Sequence, residues 1–150
     1  MKSKKEKGKI IPKGPLTSAL SKNDKTISSL TLASQLTKEA SQLGFDWPDL
    51  SGVLKKLDEE FNEFREALSL QNRSGIREEL GDLLFALVNV SRFLRVDPED
   101  ALRKTVTKFM VRFRYIEMSL RRKGKSFDQS NLNEMDQLWE EAKKKKIKKI

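Results

Sequence analysis

The chain of 150 residues contains no cysteine and no histidine. Without cysteine it can form no disulfide, zinc–thiolate site or iron–sulfur cluster, and it has no thiol nucleophile. Without histidine there is no Ser-His-Asp triad, no imidazole base and no imidazole metal ligand. Seven glycines and four prolines are too few for collagen-like or low-complexity sequence. Long apolar runs are missing too. The longest stretch, Leu83 to Leu94, is interrupted by Asn89 and Arg92 and is too short and polar to span a bilayer. Ile10-Ile11-Pro12-Lys13-Gly14-Pro15 is no apolar h-region. These absences predict a soluble cytoplasmic protein with no membrane partner. Chemistry is left to carboxylates, Lys, Arg and hydroxyls, with a metal that takes hard oxygen ligands. Such a set favours Mg²⁺, with Mn²⁺ as a substitute, over zinc or copper.

The formal charge is +9, from 31 basic and 22 acidic side chains, and it is unevenly placed. Residues 1–25 carry eight lysines against Glu6 and Asp24, and residues 143–150 carry six lysines and no acid. The segment 26–142 holds 17 basic and 20 acidic side chains, so it is slightly acidic. The expected organisation is a disordered basic N-terminal tail (1–25), one domain (26–142) and a basic C-terminal tail (143–150). Positive tails attract nucleic acid weakly and without sequence preference; equally they solubilise the chain.

The periodicity predicts an all-α bundle of about five helices with no strand. The first runs from about Ile27 to Leu43 and stops at Gly44. The second, about Leu50 to Leu70, has the apolar stripe Val53, Leu57, Phe61, Phe64 and Leu68. The third opens at Ser74-Gly75 and continues to about Leu94. The fourth starts at Asp97-Pro98-Glu99-Asp100, with Pro at the first helical position and acids in the first turn, and ends near Gly124. The fifth starts at Asn131, where Asn131 and Glu134 have capping-box spacing. The third helix carries apolar side chains on every side from Leu83 to Leu94. A helix apolar all round is buried, and a domain of this size has little with which to surround one. A homodimer or homotetramer is therefore expected, with full burial inside one chain as the alternative.

Acidic residues cluster on two consecutive helices. Glu60/Glu63 and Glu79/Asp82 are i,i+3 pairs, whose members lie about 60° apart on the helix and one turn along it. Each pair can point two carboxylates at one place. Glu60 lies about 70° from the centre of its helix's apolar stripe by the same geometry. Asp82 leads directly into the apolar run, and Asn89 shares its face two turns on. Like charges at this spacing repel, far more so when buried. A divalent cation with oxygen ligands would compensate. The alternatives are a solvated acidic face, a Lys56–Glu60 pair at i,i+4, and a hydrogen-bonded core Asp82. Lys104, Lys108 and Arg112 form a cationic i,i+4 row on the fourth helix, suited to a triphosphate or simply solvated.

The ordered set Gly44-Phe45-Asp46-Trp47-Pro48-Asp49, Glu59-Glu60-x-x-Glu63, a fifteen-residue gap and Glu79-Leu80-Gly81-Asp82-Leu83-Leu84-Phe85-Ala86 resembles the MazG-type nucleoside triphosphate pyrophosphohydrolases. Leu87-Val88-Asn89 with Arg92, Lys108-Phe109 with Arg112-Phe113-Arg114, and Leu138-Trp139 with Lys143 also match, so the resemblance covers about residues 30 to 145. It implies an all-α oligomer that uses Mg²⁺ to hydrolyse nucleoside triphosphates to monophosphate and pyrophosphate. By motif position Glu60, Glu63, Glu79 and Asp82 would be metal ligands. Glu59 or Glu63 would take the proton from a metal-activated water attacking the α-phosphorus. Lys56, Lys108 and Arg112 would be phosphate contacts, with Trp139 and Lys143 at positions associated with activity. Asn89 would bind sugar or base, or satisfy a buried polar contact. Larger bacterial members carry two such domains, and this chain corresponds best to the second. Gln35 stands where many members are basic, and Met110 and Val111 where they are usually charged. Two rival functions are a pyrophosphohydrolase specific for dUTP, dCTP or phosphoribosyl-ATP, and a catalytically silent oligomer that binds nucleic acid through its tails.

Overall fold

The computed structural model describes Gly14 and residues 26–145. Most of both basic tails lies outside the described residues. There are five α-helices and no strand among the described residues: α1 (Ser29–Gln42), α2 (Leu50–Ser69), α3 (Arg73–Phe93), α4 (Pro98–Arg122) and α5 (Leu132–Lys144), with a 3₁₀ turn at Phe127–Gln129. None of the helices is long and apolar enough to cross a membrane. α5 runs through Lys143 and Lys144, so the helix takes in the first residues of the expected C-terminal tail.

The helix starts are set by side-chain caps. Ser28, Asp49, Asn72 and Asn131 each accept a hydrogen bond from the backbone N–H three residues on, satisfying a donor the helix leaves unpaired. α3 is therefore capped by Asn72 and begins at Arg73, not at Ser74-Gly75 as the sequence suggested. At α5 the box is half formed. Asn131 caps Glu134 N–H at 2.9 Å, but the Glu134 carboxylate turns to Lys123, Lys125 and Ser130. At the helix ends, Gly44 and Gly124 take φ of +89° and +66°, the left-handed conformation that lets the chain reverse. α2 and α3 end on non-glycine residues in the same conformation, Gln71 at +51° and Arg95 at +55°.

The chain divides into two compact units, one up to Pro98 and one from Glu99. In the first, α2 and α3 pack along each other and α1 lies on α3. The buried positions of α2 are Val53, Glu60 and Ala67, seven residues apart, so one line of the helix faces its neighbours. That line is rotated from the apolar stripe, whose Phe61 and Leu68 stay about half exposed. α3 likewise buries Ala86, Val88 and Asn89 while Leu80, Leu84, Phe85 and Leu87 remain exposed. Among the described residues, the apolar circumference of α3 is thus not fully covered. In the second unit, Ile116 and Leu120 of α4 and Leu138 of α5 form the core, flanked by Tyr115, Met135 and Trp139. Phe109 lies between Phe113 and Trp139, at ring separations of 5.8 and 5.3 Å.

Candidate active site

The α2–α3 pair brings carboxylates from both helices together. One oxygen each from Glu60, Glu79 and Asp82 lies within 4.8 Å of the others. Glu60 is buried, Glu79 half-buried and Asp82 exposed. The alternative of a core Asp82 is not what the structure contains: the buried acid is Glu60, because the contact line of α2 passes through it, while Asp82 is exposed on α3. Burial raises the Glu79 pKa, and the charges of Glu63, Asp82, Glu60 and Glu78 push it further in the same direction. Glu63 is therefore close enough to add to the negative field, although its oxygens are not in the converging trio. Three hard oxygen donors, one of them buried, in a field of surplus negative charge fit a divalent cation such as Mg²⁺.

Lys56 supplies the cation that the chain itself provides. Its Nζ sits 2.7 Å from Glu60 Oε1 and 3.1 Å from Glu59 Oε1, and these carboxylates raise its pKa. The i,i+4 pairing alternative is thus what the structure contains. Glu59 is exposed and points to Lys56, outside the trio.

Along α3, Asp82, Phe85 and Asn89 lead from the carboxylates to a cavity of about 310 Å³. Its lining includes Phe45, Trp47, Phe85, Asn89 and Arg92, and its volume is at the small end for a small-molecule cleft. Asp46, in the turn between α1 and α2, binds Arg92 of α3 through both carboxylate oxygens, at 2.9 and 2.5 Å. This forked pair holds the aromatic turn against α3, and Arg92 keeps the Asp46 carboxyl below the usual carboxylate range. The third guanidinium donor, Nε, reaches Asn89 Oδ1 at 2.9 Å. Gly52 makes room for Trp47: a Cβ there would stand 2.7 Å from the indole Cδ1.

In the second unit, Lys104, Lys108 and Arg112 of α4 and Lys143 and Lys145 at the end of α5 line a cleft of about 340 Å³. Lys104 is paired with Asp100 at 2.6 Å, and Lys143 with Glu140. Arg112 lies over the Trp139 ring, 5.5 Å from its centre. Trp139 also packs on the α4–α5 core, so it joins the core to the cationic cleft.

Residues 49–116 match the MazG nucleotide pyrophosphohydrolase domain. The chain is 41% identical to the nucleoside triphosphate pyrophosphohydrolase/pyrophosphatase MazG of Thermotoga maritima over 142 residues, 95% of this chain and 51% of that protein. It is 33% identical over 132 residues to the nucleoside triphosphate pyrophosphohydrolase of Escherichia coli K12, covering 87% of this chain and 50% of that protein. Residues 49–116 thus carry a MazG domain. The chain spans about half the length of these two relatives. A 68-residue stretch is also 48% identical to Bacillus subtilis YabN, of which it covers 14%.

The matched MazG segment contains the acidic trio, Glu59, Glu63, Lys56, the Asn89–Arg92 pair, Lys108 and Arg112, and leaves Trp139 and Lys143 beyond its end. Sequence reasoning passed over Asp46, Trp47, Gly52 and Arg92 as site residues. Their signal was present as the Gly-Phe-Asp-Trp-Pro-Asp turn and the Arg92 that goes with Asn89. Nothing local, however, says that two groups 46 residues apart form an ion pair.

Proposed function

We propose that this MazG domain, residues 26–142, is a Mg²⁺-dependent nucleoside triphosphate pyrophosphohydrolase. It would convert an NTP or dNTP and water to the monophosphate and pyrophosphate. The observation that carries the reading is the convergence of Glu60, Glu79 and Asp82 within 4.8 Å, inside a segment matching a nucleotide pyrophosphohydrolase domain. Glu63 is the fourth ligand candidate, on the flank of that trio. Bound there, Mg²⁺ supplies neutralisation of phosphate charge and acidification of water. Glu63 and Glu59 are the carboxylates left to accept the proton of the water that attacks the α-phosphorus. Lys56 holds Glu59 and Glu60 in place and carries positive charge beside the phosphates. Lys108, Arg112 and Lys143 remain candidates for phosphate contacts from their sequence positions, and within the second unit Trp139 orders Arg112. The aromatic cavity, on the same face of α3 as Asp82, takes the nucleobase, and Asn89 meets its edge.

The exposed apolar flanks of α2 and α3 support a homodimer or homotetramer in the cytoplasm. The basic ends add weak, salt-dependent attraction to nucleic acid. The test is pyrophosphate release from a panel of canonical, deoxy and modified nucleotides, with Mg²⁺, with Mn²⁺ and with chelator. We expect metal-dependent release that Glu63→Ala and Asp82→Ala abolish at unchanged helicity. A turnover confined to dUTP, dCTP or phosphoribosyl-ATP would assign the narrower activity. The absence of turnover by any metal-loaded sample would leave a silent, tail-binding oligomer.

A further inference from the structure

We infer that Asn89, with its amide oriented by Arg92, selects nucleobases that present a carbonyl oxygen, over those that present an amino group at the same ring position. The inference rests on the pyrophosphohydrolase reading above and deepens it to substrate class. A guanidinium has donors and no acceptor. The Asn89 atom 2.9 Å from Arg92 Nε is therefore its carbonyl oxygen, and the amide cannot flip without placing donor against donor. Asp46 engages the other two guanidinium nitrogens, so Arg92 is itself fixed at both ends of its fork.

This leaves the Asn89 NH₂ group. Among the described residues it has no protein acceptor, yet no fully buried side-chain polar atom in the described structure lacks a partner. Asn89 as a whole is only 4% exposed and lines the cavity, so its amide nitrogen is reached from the cavity. The rest of the wall combines Phe45, Trp47 and Phe85 with Leu36, Thr37, Ala40 and Asp46, and the aromatic faces suit stacking by a flat ring. Asn89 is seven residues past Asp82, about 10 Å along the helix on the same face. A nucleotide with phosphates at the carboxylates thus turns the edge remote from its sugar towards Asn89. In uracil and hypoxanthine that edge carries a protruding carbonyl oxygen, an acceptor for the NH₂ group. In cytosine and adenine the protruding group is an amine, which meets the amide donor to donor, and the ring nitrogen beside it is recessed.

The experiment compares kcat/KM for two matched pairs, ITP with ATP and UTP with CTP, each differing by a carbonyl–amine exchange. We expect the wild type to favour the carbonyl member of both pairs about tenfold, carried by KM. Asn89→Asp keeps an acceptor for Arg92 and turns a second acceptor into the cavity, so the preference should invert. Arg92→Met releases the amide, and both ratios should move towards one. Inversion in Asn89→Asp is an effect that a merely structural role for the network would not produce. Robust turnover with wild-type ratios near one overturns the inference and leaves the pyrophosphohydrolase reading standing. No turnover of any nucleotide overturns both. Where a variant loses its helicity, the wild-type ratios alone decide.

Discussion

Stability in the absence and presence of Mg²⁺ tests the carboxylate site without any appeal to turnover. The perturbation is Asp82→Asn, at an exposed position where the change in shape is negligible. In the metal-free protein Asp82 faces Glu60 and Glu79 within 4.8 Å, and its charge adds to the field that raises the Glu79 pKa. Removing that charge relieves repulsion, so the metal-free variant should melt no lower than wild type, and higher at low salt. With the ion present the order reverses. A ligand at about a hundred times its Kd adds roughly 2.7 kcal/mol to folding. For a domain of this size each kcal/mol moves Tm by roughly 4 °C, so wild type should gain about 10 °C. Asp82→Asn replaces one of three charged carboxylate donors with a neutral amide and should lose most of that gain. The assay is thermal unfolding across a MgCl₂ titration at constant ionic strength, with Glu117→Gln as a control outside the carboxylate cluster. Equal Mg²⁺ shifts in wild type and Asp82→Asn would refute the assignment of the trio. So would a metal-free Asp82→Asn that melts several degrees lower, because the acid would then be structural.

Three further perturbations reach other parts of the molecule. Gly52→Ala sets a Cβ 2.7 Å from Trp47 Cδ1, so the ring must retreat by about 1 Å to ordinary contact. The helix gains about 1 kcal/mol against a crowding cost of about 1–3 kcal/mol. Stability should therefore fall by less than about 2 kcal/mol while KM for nucleotides rises severalfold; an unchanged KM would remove Trp47 from the ligand's wall. Arg95→Gly at φ +55° relieves a left-handed residue and should raise stability by about 0.5–1 kcal/mol in urea unfolding, and a decrease would show that Arg95 makes a compensating contact. Glu134, held by Lys123, Lys125 and Ser130, has its pKa lowered to about 2 from 4.5. Its contribution is present in full above pH 4.5 and is lost as pH falls towards 2. Glu134→Gln should accordingly flatten the stability profile across that window, relative to wild type in paired denaturation curves, and parallel profiles would refute the clamp.

Local grammar made most of the fold legible. Gly44 and Gly124, Pro98 with its acids, and Asn131 each mark a helix end within two residues of where the chain turns. The start of α3 was misplaced because Asn72, not Ser74, has the register to cap Gly75. The acidic motif was legible in type and spacing, but not its burial. The contact line of α2 runs through Val53, Glu60 and Ala67, and only packing against α3 and its neighbours selects that line over the greasier one through Phe61 and Leu68. Once Glu60 is the buried acid, Lys56 gains a reason: an ion pair at 2.7 Å partly compensates a carboxylate that the helix pair has removed from water. The base end of the site was the least legible. An aspartate in a turn and an arginine 46 residues on carry no shared periodicity, yet their forked pair fixes both the turn and the Asn89 amide. The same packing that hides Glu60 also sets Asn89 on the inner side of α3. On the base-reading role inferred for Asn89, the helix pair that gathers the carboxylates would also determine which edge of a bound ring is read, and substitutions at Asp46 should alter nucleotide preference before they alter the response to Mg²⁺.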